Sequence, residues 1–241
     1  MPKIALITGG NRGLGRATAL ALIEAGVEVI YTYRGDPGEK IDAIALPLVV
    51  GDIDSYDDFA ATLRQTLEDR FGRTDFDFLI NNAGVGRAGK IADTSVEAFD
   101  EMLNVHWRGM FFLTQKLLPL IADGGRIINL STGLARFTGE GIYAAYGSMK
   151  GAVEVFTRYL AKEVGPRGIT ANVVAPGPAA TDFGGGLLRD NDQIRTHIGS
   201  QTALGRVAQP EEIAGVIAAL LAEGTGWITG QRIEASGGML L

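Results

Sequence analysis

Short apolar, β-branched runs alternate along this chain with longer stretches of helical periodicity. Runs at 3–8, 28–32, 45–50, 76–80, 125–131, 170–175 and 228–235 predict strands. Windows near 14–25, 55–71, 95–122, 144–165 and 210–222 predict helices. Strand, helix and strand at this spacing read as βαβ units, hence an α/β fold with a parallel sheet of about seven strands and helices on both faces. The strand runs lack clean polar alternation, as expected where both faces are covered. No Pro- or Ser-rich linker divides the chain, and 241 residues fit one α/β unit, so a single domain over 1–241 is expected. The one long breaker-rich stretch is 177–209, with Gly184, Gly185 and Gly186. A stretch of that length inside a compact domain is expected to be functional or mobile, and 183–204 is the expected substrate lid. The helical face carrying Ala152, Val153, Phe156 and Leu160 is expected in the core or a subunit interface.

Composition narrows the function. The net charge of −6 argues against a nucleic-acid partner, which needs clustered Lys and Arg. Cysteine is absent, which removes disulfides and thiol catalysis and fits a reducing compartment. No uncharged apolar stretch approaches the ~18 residues of a membrane span. The apolar run 4–7 is too short for a secretory core, so a cytoplasmic location is expected. His106 and His197 lack ligand spacing, so no metal is expected. Trp107 and Trp227 are expected to pack inside. Glycine is the outlier, with 34 residues, about twice the usual share. The glycines show no three-residue period, so they point to turns rather than collagen.

The most informative turn is Thr8-Gly9-Gly10-Asn11-Arg12-Gly13-Leu14-Gly15, directly after the first strand and opening a helix. Glycines there let backbone N–H groups approach a phosphate, and the helix N-terminus adds positive charge. A phosphate loop of the Walker type does not fit, because Arg16 and Ala17 stand where Lys and a hydroxyl residue are needed. A dinucleotide site on a Rossmann fold does fit. The second strand ends Tyr31-Thr32-Tyr33-Arg34, with no acid for a ribose hydroxyl; Asp36 is expected in the loop. Arg34, with Arg12 inside the turn, favours a 2′-phosphate, hence NADP(H) over NAD.

Tyr146-Gly147-Ser148-Met149-Lys150 places a phenol and an ammonium on one helical face. The Lys150 charge is expected to lower the Tyr146 pKa, giving a group able to trade a proton with a carbonyl or alkoxide oxygen. Tyr143 is too far along the helix to share that charge. Ser148 lacks the flanking glycines of a nucleophile elbow and is read as a helix neighbour.

With these motifs the chain resembles the short-chain dehydrogenases/reductases over essentially its whole length. Thr8 to Gly15 is similar to the family's cofactor turn, with Gly9, Asn11, Arg12, Gly13, Leu14 and Gly15 as implied contacts. Asp52-Ile53 resembles the adenine-contacting pair, and Asn81-Asn82-Ala83-Gly84 the fourth-strand motif. Asn104 matches the helix Asn of a proton relay, and Tyr146 with Lys150 the catalytic pair. Asn172, Pro176, Gly177 and Thr181 match the segment beside the nicotinamide; Thr229-Gly230 and Ser236-Gly237-Gly238 resemble the C-terminal strand region. The resemblance implies strand order 3-2-1-4-5-6-7 and hydride transfer between NADP(H) and a carbonyl or alcohol carbon. It also implies Tyr146 as acid/base, Lys150 on the nicotinamide ribose, and a homo-oligomer, most simply a tetramer. The small-molecule substrate is not named by any motif. A 3-oxoacyl-carrier-protein reductase is one alternative, although the 119–125 turn carries no Lys or Arg for docking, and a non-catalytic nucleotide-binding regulator is another.

The hydroxyl that holds the substrate oxygen is ambiguous by one position. Counting back the family's spacing of about thirteen from Tyr146 reaches Gly133, whereas counting forward from Gly125-Arg126-Ile127-Ile128 reaches Thr132. Adjacent strand residues face opposite ways, so Thr132 and Ser131 cannot both serve. The strand count favours Thr132.

Overall fold

The computed structural model describes residues 2–241, and its centre is the strand β1 (Ile4–Ile7), buried along its whole length. Its side chains alternate between two cores. Ile4 and Leu6 face one layer, packed with Leu63, Leu67, Leu113, Leu117 and Leu160. Ala5 and Ile7 face the other, packed with Leu22, Ile213 and Ile217. Burying one such aliphatic side chain is worth roughly 1.5–3 kcal/mol, so a short strand with two apolar faces is a strong organiser.

Around β1 lie β2 (Glu28–Tyr33), β3 (Ile44–Pro47), β4 (Phe76–Asn81), β5 (Ile121–Leu130), β6 (Thr170–Pro176) and β7 (Arg232–Ala235). They form one parallel sheet in the order β3-β2-β1-β4-β5-β6-β7, the order expected. Helices α1 (Gly13–Glu24) and α8 (Pro210–Leu221) cover one face. Helices α2 (Tyr56–Phe71), α4 (Met110–Leu117) and α5 (Ala144–Val164) cover the other.

The amino edge of β1 is fixed by a buried carboxylate. Asp77 accepts from Lys3 Nζ at 2.9 Å, from the Ile4 N–H at 2.9 Å and from Arg73 at 3.0 Å. Burial alone would raise its pKa, but these donors outweigh burial and hold the carboxyl below its usual range. Deeper in the sheet, Asn81 donates to Asn129 at 2.8 Å and to Thr114 at 2.9 Å, and Asn129 donates to Thr157 at 2.9 Å. This polar chain ties β4 and β5 to α4 and α5.

Several expectations need correction. The helical window 95–122 is not one helix. It runs as α3 (Val96–Leu103), a π-helical turn (Asn104–Gly109), α4 and a 3-10 turn (Leu118–Leu120), and β5 has begun by Ile121. The π turn packs against the loop after β3. A Cβ on Gly109 would stand 2.0 Å from the Val50 carbonyl and 2.4 Å from the Asn104 carbonyl, so only glycine fits. The Tyr56 hydroxyl lies between the carbonyls of Val50 and Gly109, clipping the π turn to the loop after β3. The 177–209 stretch is not structureless, since α6 (Leu187–Asp190) and α7 (Asp192–Gly199) form within it. The strand expected over 228–235 is paired only from Arg232, and that expected over 45–50 leaves the sheet after Pro47. Trp107 packs edge-on against Phe111 and Phe156, both at 5.6 Å. Trp227 does not pack: in a turn beside Gly226 it is 99% exposed.

Candidate active site

A cavity of about 1030 Å³ opens at the carboxyl ends of the strands, where the order reverses between β1 and β4. That is the expected ligand position in a doubly wound sheet. Its floor is the turn after β1. Gly9 and Gly13 have φ of +66° and +53°, which L side chains rarely adopt. A Cβ on Gly15 would meet the Gly9 carbonyl at 2.2 Å. Helix α1 therefore starts against the cavity, and its N-cap, Arg12, makes no side-chain cap hydrogen bond. No acidic residue occupies its first turn. These first N–H groups are available to an anion, and the helix end favours negative charge. The residues present thus fit a dinucleotide pyrophosphate.

The turn is held from β4. Asn82 donates through its side chain to the carbonyls of Thr8 (2.9 Å) and Gly9 (3.0 Å). The Thr8 hydroxyl accepts from the N–H groups of Asn82 and Ala83, both at 3.0 Å. Tyr33, the last residue of β2, and Arg34 after it line the cavity with Arg12, Asn11 and Leu14. Two acids share that end: Asp36, whose carboxylate accepts from Gly38 N–H at 2.9 Å, and Glu39, paired with Arg16 at 2.8 Å. Neither is matched to Arg34 by an ion pair.

At the other end Tyr146 and Lys150, one turn apart on α5, are both buried. Lys150 donates to the Leu130 carbonyl at 2.7 Å and lies 5.9 Å from the Tyr146 ring centre. The expected lowering of the Tyr146 pKa is not what this arrangement gives. Burial pushes the phenol up and Tyr143 adds to the rise, while a hydrogen bond with Thr132 opposes both. Desolvation of a buried phenolate is the dominant effect, and burial also brings Lys150 down to about 8.

Ser131 and Thr132 both line the wall, but their hydroxyls have different partners. Ser131 donates to Glu154 at 2.7 Å, part of an ion network in which Arg232 bonds Glu154 at 2.7 Å and Glu234 at 2.8 Å. The Thr132 hydroxyl faces the Tyr146 phenol and caps a 3-10 turn through the Leu134 N–H at 3.3 Å.

Of the residues singled out from sequence, Gly9, Asn11, Arg12, Gly13, Leu14, Gly15, Tyr33, Arg34, Ala83, Gly84, Ser131, Thr132, Tyr146, Lys150, Pro176, Gly177 and Thr181 line this cavity. Four do not. Asp52 and Ile53 start the turn beyond the wall, which is built instead by Leu48, Val49, Val50 and Gly51. Asn81 points into the sheet–helix layer, leaving Asn82 to face the cofactor turn. Asn104 begins the π turn behind Gly51, and the residues that line the cavity from this segment are Val105 and His106. Sequence reading gave Asn82 only within the fourth-strand motif and His106 only as a residue without ligand spacing, and it left out Phe183. The last of these sits with its ring 5.7 Å from Tyr146 and against Gly86.

A helix N-terminus with no acidic residue in its first turn lies at one end of the cavity, and a buried phenol, ammonium and hydroxyl lie at the other. A family model described as Enoyl-(Acyl carrier protein) reductase matches residues 9–240. Tetrahydroxynaphthalene reductase PfmaG of Pestalotiopsis fici is 34% identical over 98% of this chain and 91% of its own length. The 3-oxoacyl-[acyl-carrier-protein] reductase FabG of Staphylococcus aureus is 33% identical over 100% and 99%. The crystal structure of the angucycline C-6 ketoreductase LanV, with bound NADP, superposes with a TM-score of 0.90 at 36% identity, covering 99% of this chain and 95% of that one. The chain belongs to the short-chain dehydrogenase/reductase family and is an oxidoreductase.

Proposed function

We propose that this protein reduces a bulky, apolar ketone with NADPH, and runs in reverse as an alcohol dehydrogenase. The observation that carries the reading is the convergence of the Tyr146 phenol and the Thr132 hydroxyl on one end of a cavity walled by Val85, Leu134, Phe137, Tyr143, Phe183 and Met239. NADPH, when bound, supplies the hydride that reaches the carbonyl carbon. Thr132 holds the carbonyl oxygen, and Tyr146 gives its proton to that oxygen as negative charge develops there. Burial holds the phenol protonated, so the proton is on Tyr146 when the ketone enters. Lys150, anchored on Leu130, orients the ribose side and keeps positive charge beside the phenolate left behind. Arg12 and Arg34 hold the 2′-phosphate, and the turn Gly9–Gly15 holds the pyrophosphate.

Aromatic and aliphatic lining fits a ring system better than a short hydrophilic carbonyl. The relatives named for tetrahydroxynaphthalene and for an angucycline ketone support that substrate class. A carrier-linked thioester needs a free basic patch at the mouth. Two arginines bonded to wall residues at the substrate end are already matched: Arg189 pairs with Asp182 and Asp190, and Arg136, on the Met239 carbonyl, with Glu234. The segment 183–204 acts as a lid hinged at Gly184, Gly185 and Gly186, all at positive φ. Hydrogen exchange that does not slow there on ternary-complex formation would remove the lid role. The assembly is a homotetramer in the cytoplasm, supported by the exposed apolar residues Phe112, Val155 and Tyr159 on α4 and α5 and by the absence of cysteine. Light scattering that gives a monomer at micromolar concentration would overturn the assembly.

The test is a substrate panel with NADPH consumption as the readout. Polycyclic ketones should turn over faster than short aliphatic ketones and 3-oxoacyl thioesters. Turnover confined to the thioesters would replace this reading with the carrier-linked one.

A further inference from the structure

The cavity wall includes one residue that is held in place by a strained turn. Met239 lines the cavity at 5% exposure, whereas the two leucines after it turn outward, Leu240 at 43% and Leu241 at 96%. The reversal falls at Leu240, whose φ of +50° is the one positive value outside glycine among the described residues. A bulky side chain in the left-handed region persists only where its surroundings over-determine it, and such positions concentrate at ligand sites.

The surroundings here are specific. Met239 pairs with Thr202 in an isolated antiparallel bridge, and its N–H donates to the Ser236 hydroxyl at 3.3 Å. The Leu240 N–H donates to the Gln201 carbonyl at 3.1 Å. From the other side Arg136 donates to the Met239 carbonyl at 2.6 Å and to the Leu240 carbonyl at 3.2 Å. The same guanidinium makes two bonds of 2.7 Å to Glu234 and lies 5.2 Å from the centre of the Phe137 ring.

Arg136 is not part of the cavity wall, but Phe137 and Met239 both are. Phe137 packs on Gly133, the neighbour of Thr132; a Cβ on Gly133 would stand 2.8 Å from its ring. Behind the guanidinium, Glu234 also accepts from Arg232 at 2.8 Å, and Arg232 reaches the Thr132 carbonyl at 3.3 Å. Arg136 first, then Ser236 and Arg232, hold the Glu234 carboxyl down at about 2 against burial, so these groups stay charged near neutral pH. One ionic frame therefore ties the residue that holds the ketone oxygen to the residue that walls the far side.

We propose that Met239 is a specificity-determining residue that limits the length of the ring system accepted, and that Arg136 is the positioning residue that holds its thioether in the wall. A thioether is a soft, favourable contact for an aromatic ring, so it meets the distal ring of a fused aromatic ketone whose carbonyl rests on Thr132. The proposal rests on the ketoreductase reading for the reaction, whereas the reach of the wall is a property of the protein itself.

The test uses the full-length enzyme with NADPH and two ketones, α-tetralone with two fused rings and a tetrahydrophenanthrenone with three. The readout is the ratio of kcat/KM for the longer ketone over the shorter. Met239→Ala opens the wall and should raise the ratio roughly tenfold, the scale on which a small apolar volume discriminates. Met239→Trp should lower it by a similar factor, and Met239→Phe repeats that arm if the tryptophan variant does not fold. Arg136→Ala should raise the ratio in the same direction as Met239→Ala, through the KM of the longer ketone, and Arg136→Lys should recover part of the parental value. A purely structural Arg136 would lower Tm and leave the ratio alone, because both rates come from the same folded molecules. A parental ratio in Met239→Ala, or a shift in the same direction for the smaller and larger replacements, overturns the assignment of Met239. A parental ratio in Arg136→Ala overturns the positioning role. Calorimetric Kd values for the unreactive phenols β-naphthol and phenanthrol, measured on the NADP-loaded proteins, should follow the same ratios without turnover. If the parent enzyme reduces neither ketone, the proposed function fails, and the phenol ratios still decide the reach of the wall.

Discussion

Exchanging the two neighbouring hydroxyls separates catalysis from stability. Ser131 is 4% exposed and donates to the Glu154 carboxylate at 2.7 Å. A hydrogen bond to a charged group contributes roughly 1.5–3 kcal/mol. In Ser131→Ala, Glu154 keeps its bond from Arg232 at 2.7 Å, so the lower end of that range applies. For a chain of this size each kcal/mol moves Tm by roughly 2–4 °C, so Ser131→Ala should melt about 3–6 °C early. Its kcat should stay within about threefold of the parent, because the lost bond points away from the substrate oxygen. Thr132→Val inverts the pattern. Its hydroxyl makes a long 3.3 Å cap to Leu134, a contact worth about 0.5–1 kcal/mol. Removing the donor that faces Tyr146 should lower kcat roughly 100- to 1000-fold, as for other single oxyanion-hole donors. Thermal melts and steady-state kinetics on the two purified variants decide the matter. A Ser131→Ala enzyme that is thermally normal but catalytically dead would refute the assignment of both hydroxyls.

Tyr146→Phe should abolish turnover while leaving NADPH affinity within about twofold, since only the proton donor goes; fluorescence titration beside the rate assay checks both. Arg34→Asp should erase or invert the preference for NADPH over NADH, and equal kcat/KM for the two cofactors in the parent would remove the premise. Burial brings Lys150 down to about 8. The group is charged below that pH and neutral above it, so reduction should hold steady near neutrality and fall as pH rises through about 8. Lys150→Arg should carry that descent to higher pH, and a rate flat to pH 10 would contradict it.

The sheet was legible because its strands are apolar on both faces, and runs such as Ile4–Ile7 have no other stable place. The cofactor turn was legible because its glycines are demanded by backbone clashes, as at Gly15, and leave a mark in composition. What spacing could not reveal is direction. Asn81 and Asn82 are adjacent, and only the end of β4 decides that the first bonds Asn129 and the second holds Thr8 and Gly9. The π turn is equally silent in the pattern, and it places Val105 and His106 on the cavity wall while Asn104 stands behind Gly51. Trp227 was misread because burial is the rule for its type, and nothing local records that its turn stands clear of the sheet. The Tyr146 pKa was misjudged because pairing with Lys150 is written in the sequence and desolvation is not.

The carboxylate that fixes β1 also sets a schedule for the chain's birth. Lys3 and Asp77 are 74 positions apart, and β1 is bordered by β2 on one side and β4 on the other. A ribosome adding roughly 5–20 residues per second delivers Asp77 some 4–15 seconds after Lys3. For that interval the most apolar segment of the protein is in the cell with one flank unpaired and its amino-terminal cation unmatched. An interrupted translation product ending before residue 77 carries an open, sticky edge, so truncated chains should be conspicuous clients of nascent-chain chaperones, whereas chains that have cleared β4 should not.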